Sequence, residues 1–306
     1  MKFPVIDGHA DTALEAYLRG GLRQAKGHLT LDGMKKLDKY AQFFAFCPVC
    51  HKGYEPERLF ENSLSAFERE LTDQGDAMTL CTSAPQMFAA WEEKKTAAFL
   101  ALEGAEGIGC DPGRLEEVRA RGFTMVSLMW NYENSLGGSN QTGTGLTERG
   151  REFVRKAHKL GMIVDVSHAS DAVFYEICEL ADGKVVASHS NCRTLCSHPR
   201  NLTDDQLRCL SRLGGTVGVN FWPDFLTCEK TATYDDICRH LDHMIAVGGE
   251  DIAAFGGDMD GIDYGPEGFS GVEDYENILD YLARCGFSCE LLEKISYGNL
   301  LRVLKD

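Results

Sequence analysis

Positive charge is what this chain has too little of. Its 306 residues carry 31 Lys and Arg against 47 Asp and Glu, a net of −16 with His neutral. Nucleic acid and anionic membrane both need a basic face, so neither is an expected partner. No run of 18 apolar residues occurs, so no transmembrane helix is expected. The opening MKFPVIDGHAD has a single Lys and a short apolar stretch broken by Pro4, without the apolar core of a secretory leader. The closing NLLRVLKD is amphipathic and charged, unlike a lipid-anchor signal. Low-complexity tracts, linkers and short-period repeats are missing as well. Twelve Cys is too few, in a chain too long, for a disulfide scaffold. The expectation is a soluble, cytoplasmic protein with no membrane anchor and with its cysteines reduced.

What is present is an ordinary globular composition, 43% hydrophobic and 25% charged, which excludes disorder as the main state. Eight short apolar runs recur: VID (5–7), AQFFAFC (41–47), AAFLAL (97–102), FTMVSLMW (123–130), MIVDVS (162–167), KVVAS (184–188), GTVGVNF (215–221) and IAAFGG (252–257). Helical spacing fills 57–78, 147–160, 171–180, 203–213, 235–247 and about 289–304. Near-continuous apolar strands alternating with helices mean parallel strands covered on both faces. Eight such units predict an α/β fold, a (β/α)8 barrel, with an open doubly wound sheet as the alternative. The stretch 53–85 is long for one crossover and reads as an inserted helical layer. One domain over 1–306 is the economical division.

In a parallel barrel, chemistry sits where strands end at their C-terminal side. After the first run come Asp7, His9 and Asp11, in DGHAD; after the third, Glu103, in ALEGAEG. The fifth delivers His168, in VDVSHAS, and the sixth His189, in ASHSNCR. The eighth delivers Asp258 and Asp260, in FGGDMDG. Three imidazoles and several carboxylates crowded on one rim would bury unpaired charge, a conflict that a divalent cation resolves. Imidazole and carboxylate without thiolate suit Zn, or Mn, Co or Fe in its place. On an extended strand, His9 and Asp11 share a face and can reach one ion. Taken singly, each residue has a plainer reading: a core or loop histidine, a capping Glu, a turn Asp. A second His-x-Asp, His240 to Asp242, falls in a helical stretch and reads as a solvated helix pair.

Other motifs are weaker. Cys47-Pro-Val-Cys50-His51 has the outline of a haem or redox motif, but no second CxxC completes a four-cysteine zinc site, and incidental Cys at a strand end is the expectation. The glycine-rich 137–150 lacks the Gly-Lys-Ser/Thr of a phosphate loop and reads as a loop leading into a helix. Ser167 and Ser188, each followed by His, sit in no Gly-x-Ser-x-Gly elbow.

DGHAD, LEG, VDVSHAS, SHSNCR followed by HPRNLTDDQL, GGDMDG and the closing GNLLRVL together resemble the membrane (renal-type) dipeptidases. These are metallopeptidases among the amidohydrolase-like barrels, and the resemblance runs in order from residue 6 to 304. It implies two zinc ions at the barrel mouth: His9 and Asp11 on the first, His168 and His189 on the second, Glu103 bridging. It implies Asp258 as acid/base and substrate contact, and Arg200 as holder of the substrate carboxylate or the tetrahedral intermediate. Glu106, His198 and Arg193 are near-misses by position. Better-known eukaryotic members end the fourth strand in a Thr-His-Asn-like motif whose His touches the scissile carbonyl. Here Met129-Trp130-Asn131 stands in its place, and Trp130 offers only an indole N–H or a packing surface.

The activity implied is hydrolysis of small dipeptides by a hydroxide shared between the metals, with tolerance of a D-residue at the C-terminal position. Other small-amide, N-acyl-amino-acid or lactone hydrolysis is the alternative, and a non-catalytic peptide-binding relic is the reading least compatible with an intact residue set. A homodimer is compatible with the family, although the sequence supplies no interface argument.

Overall fold

The computed structural model describes residues 2–23 and 26–305. Among these residues nine strands form one parallel sheet: β1 Val5–Ala10, β2 Tyr40–Phe46, β3 Met78–Leu80, β4 Thr96–Glu103, β5 Phe123–Ser127, β6 Ile163–Asp165, β7 Val185–Val186, β8 Val217–Val219 and β9 Ala253–Phe255. Pairing follows β7-β6-β5-β4-β2-β1-β9-β8, and a parallel bridge between Ala187 and Val217 joins the two ends. The eight strands on this closed path are the eight apolar runs, so the barrel expectation holds.

β3 departs from expectation. The 53–85 stretch contains a helix, Pro56–Asp73, but then a short strand that pairs with β4 from Met78 opposite Thr96. β2 lies along β4 from Ala97 to Leu102, so β3 and β5 share the other edge of β4 in succession. Three residues, MTL, are too few for any alternation to show in sequence.

Every residue of β2 and β4 is buried, as strands covered on both faces require. Alternate residues of β4 divide between two apolar clusters. Ala98, Leu100 and Leu102 join the large outer one; Ala97, Phe99 and Ala101 join a smaller one that gathers residues from several other barrel strands and from the last helix. Glu103 continues the second series and so points inward at the mouth. On the opposite side the barrel is pinched. A Cβ on Gly256 would lie 1.8 Å from the Ser188 carbonyl oxygen, and one on Gly218 2.0 Å from it, so only glycine fits there.

Helices fall close to the expected segments. Thr147 caps Glu148–Lys159 by accepting from the Gly150 N–H, and Thr203 with Gln206 forms a capping box on Asp204–Arg212. The stretch 137–150 is the expected loop into a helix. At the end of the chain the single predicted helix is split, into Cys289–Glu293, a π-helical turn Lys294–Gly298 and Asn299–Lys305. Among the described residues no helix is long and apolar enough to cross a membrane.

Two expectations are corrected. His240 is not solvated: it is buried in the helix Tyr234–Gly248, facing the Leu226 carbonyl through Nε2 at 2.8 Å and accepting the Cys192 N–H at Nδ1. Asp242, two positions on, is exposed, because residues two apart diverge on a helix. Nor are all cysteines reduced, since Cys196 and Cys228 form a disulfide. They are 32 positions apart and meet only because the segments after β7 and β8 run side by side at the rim. Replacing Cys196 by Ser is expected to cost about 2–4 kcal/mol of stability, the range for closing a loop of this size. Thermal unfolding of the variant beside the oxidised parent checks this.

Candidate metal centre

Strand closure carries residues from distant parts of the chain to one rim. His9 is the next-to-last residue of β1 and Asp11 lies just beyond it; Glu103 ends β4; His168, His189 and Asp258 follow the ends of β6, β7 and β9. The turn 257–261 is bent by Asp258 (φ 58°) and Asp260 (φ 66°), both in the left-handed region. It is tied to β1 by the Asp258 N–H donating to the His9 carbonyl and the Asp11 N–H donating to the Met259 carbonyl. Asp260 accepts from Thr12 Oγ1 (2.5 Å) and the His28 N–H (2.6 Å), so it anchors this turn rather than entering the cluster.

The cluster centres on Glu103. Its Oε2 lies 3.3 Å from His9 Nε2, and its Oε1 lies 2.8 Å from His168 Nε2 and 3.5 Å from His189 Nε2. His9 Nε2 is also 3.6 Å from Asp11 Oδ2 and 3.9 Å from Asp258 Oδ1. Ligand atoms of His9, Glu103 and His189 all fall within 4.8 Å of one another, as do those of His9, Asp11 and Asp258. All six side chains are buried, yet His9 Nε2 and Asp11 Oδ1 have no hydrogen-bond partner. Buried polar atoms left without partners among imidazoles and carboxylates fit a cation held among them.

The proton affinities show the same conflict. Burial works to lower His9, but the Glu103 charge and the nearby Asp11 carboxylate carry it well above the ordinary imidazole range. Glu103, which burial would raise, is held well below the carboxylate range by His9 and His168. Burial, reinforced by Glu103, pushes Asp11 up to about 7. Asp258 is raised chiefly by burial. Burial and then the Arg200 charge bring His168 down to about 4, and His189 is driven well down by burial, His9 and Arg200. One imidazole takes a proton so that its neighbours need not, which is the role a divalent cation fills better.

Above the cluster opens a cavity of ≈ 590 Å³, lined by Asp11, Glu103, Trp130, His168, Arg200 and Asp258 among others. Arg200 is buried, donates to the carbonyls of Ser167 and His189, and lies 5.5 Å over the Phe225 ring. Trp130 is half-buried, its ring 6.2 Å from that of His168. Every residue singled out for the site is thus gathered at one mouth.

The near-misses lie elsewhere. Arg193 makes a two-pronged bond to Asp171, both at 2.8 Å; Glu106 accepts from Asn134; His198 packs on Phe225 and accepts the Arg200 backbone N–H. Sequence reading missed several neighbours. Asn220 donates to Asp258 at 2.8 Å, Asn131 faces His168 Nδ1 at 3.0 Å, and Trp222 and Phe225 line the cavity. Cys50 and His51 line it too, so the CPVCH motif is less incidental in place than expected; His51 pairs with Glu15 at 2.8 Å. Burial pushes the Cys50 thiol up to about 11, which leaves it protonated and a poor ligand. Beneath the site Asp7 accepts the backbone N–H groups of His9 and Gly257, the Gln42 amide and the Tyr275 hydroxyl. One buried carboxylate thereby locks β1 to the turn that carries Asp258.

A parallel barrel whose C-terminal rim collects imidazoles and carboxylates around a cation-sized gap defines a metal-dependent hydrolase of the amidohydrolase-like type. The chain belongs to the membrane dipeptidase family, peptidase family M19, whose model matches residues 1–306. It is accordingly a metallo-dipeptidase. An uncharacterised protein from the pqqA 5′ region of Klebsiella pneumoniae is 33% identical over 264 residues, covering 82% of this chain and 97% of that one. Rat dipeptidase 3 is 28% identical over 99% of this chain and 65% of its own length. Among solved structures, dipeptidase AC, a metallopeptidase of family M19, superposes with a TM-score of 0.90 at 27% identity, covering 99% of this chain and 98% of that one. A Rhodobacter sphaeroides metallopeptidase liganded with a phosphinate mimic of the dipeptide L-Ala-D-Ala gives 0.88 at 26% identity, with 99% of both chains covered.

Proposed function

We propose that this chain is a binuclear zinc dipeptidase acting as one domain over 1–306. His9 and Asp11 would hold one ion and His168 and His189 the other, with Glu103 shared by both. The observation that carries this reading is the split of the Glu103 carboxylate, one oxygen toward His9 and the other toward His168 and His189. Imidazole and carboxylate donors suit zinc. When bound, such ions supply Lewis acidity and bring the pKa of water toward neutrality.

The protein's own groups do the rest. Asp258, oriented by Asn220, takes a proton from the attacking water and returns it to the leaving amine. Arg200 pairs with the substrate carboxylate, which places a free C-terminus one residue from the scissile bond. Trp130 walls the cavity and packs against a substrate side chain. The L-Ala-D-Ala mimic bound by the Rhodobacter sphaeroides relative supports acceptance of a D-residue at the second position here.

The test is zinc content by elemental analysis, with hydrolysis of dipeptides ending in Leu and in D-Ala. Two zinc ions per chain and cleavage of both substrates are expected; metal-free protein with full activity would refute the reading. For Arg200→Lys we expect KM to rise about 10- to 100-fold on free dipeptides, the loss of a charge-assisted bond, with little change on C-terminally amidated ones.

A further inference from the structure

We propose that Asp165, acting through the hydroxyl of Ser188, decides which ring nitrogen carries the proton on both His189 and His9, and so turns both Nε2 lone pairs toward the metal centre. The inference rests on the metal reading above and adds two positioning residues to it.

Asp165 ends β6 and is buried. Its Oδ1 accepts the Ser167 N–H (3.0 Å), the Ser167 hydroxyl (2.6 Å) and the Ser188 N–H (2.9 Å); its Oδ2 accepts the Ser188 hydroxyl (2.6 Å). A serine hydroxyl has one hydrogen, and a carboxylate can only accept. Were the Ser188 hydrogen turned elsewhere, two acceptor oxygens would face each other at 2.6 Å in a buried site. That hydrogen therefore belongs to Asp165, and the Ser188 oxygen is left with lone pairs only.

Those lone pairs face His189 Nδ1 at 2.7 Å and His9 Nδ1 at 3.5 Å. In the neutral ring, the form that binds a cation, each Nδ1 must then carry the hydrogen, and each Nε2 keeps its lone pair. The two Nε2 atoms are the ones lying 3.5 and 3.3 Å from the Glu103 oxygens. A single hydroxyl thus orients one imidazole from each ion's donor set. His168 has a separate support, since its Nδ1 faces Asn131 Oδ1. Ser188 is itself fixed, because its backbone is pressed against Gly218 and Gly256.

Three variants test the relay: Ser188→Ala, Asp165→Asn and Ser188→Thr, with His189→Ala as control. Zinc affinity is read by competition with a chromophoric chelator, and the ring tautomers of the metal-free protein by long-range proton–nitrogen NMR. In the metal-free parent His189 should be protonated at Nδ1. Ser188→Ala and Asp165→Asn should each weaken zinc binding about 10- to 100-fold, the usual cost of losing such a support, and shift His189 toward the Nε2–H form. Ser188→Thr keeps the hydroxyl and should recover most of the affinity. Affinity unchanged in Ser188→Ala, or His189 protonated at Nε2 in the parent, overturns the relay. If His189→Ala keeps its full zinc complement, the metal reading itself has failed; if His189→Ala loses zinc while Ser188→Ala does not, only the relay has.

Discussion

Changing Glu103 to Ala will cost on the order of 10⁴ in kcat/KM, about 5 kcal/mol of transition-state stabilisation, and will strip the protein of metal. Its carboxylate reaches all three imidazoles, and among the described residues its removal leaves His9, His168 and His189 with no shared anion. The fold should survive. Glu103 is the last residue of β4 and belongs to neither of the apolar clusters that hold the barrel. Elemental analysis, thermal unfolding and steady-state hydrolysis on one preparation check all three statements. A variant with full zinc content and near-normal turnover would remove the bridging role.

Asp258→Asn carries the second largest effect, a fall in kcat of about 10²- to 10⁴-fold, the worth of one positioned acid/base. The substitution preserves shape and leaves an oxygen to accept from Asn220, but the amide cannot take a proton. KM should change little if the carboxylate acts on the proton and not on substrate binding. Metal content discriminates further. Asp258 lies within ligand distance of His9 and Asp11, so a variant that loses zinc would make Asp258 a ligand, whereas one that keeps zinc but not turnover would support the proton shuttle.

How much of this was readable beforehand follows from where each signal lives. The eight barrel strands are buried on both faces, and burial leaves continuous apolar runs in the sequence. His9, Glu103, His168, His189 and Asp258 were legible because polar residues ending such runs have one place to go in a parallel barrel. β3 was hidden by its shortness. The Cys196–Cys228 pairing and the burial of His240 were hidden because both depend on which loops lie side by side. Asn131, Asn220, Trp222 and the Glu15–His51 pair likewise carry no spacing signal, being assembled from separate crossovers. Asp165 was the most concealed, an ordinary polar residue in an apolar strand, whereas Asp7 stood out beside His9 and Asp11 but its anchoring role shows only when its donors, from four different segments, are seen converging.

The placement of β1 between β2 and β9 bears on how the molecule matures. β1 cannot find its second neighbour until β9, the last of the barrel strands, has been synthesised. His9 must wait for Asp258, and Asp7 for Tyr275, which donates to it from far along the chain. All five proposed ligands lie at or before His189, so the acid/base Asp258 and the anchoring Tyr275 are made after the whole donor set, and the proton-transfer group is the last part of the site to be assembled.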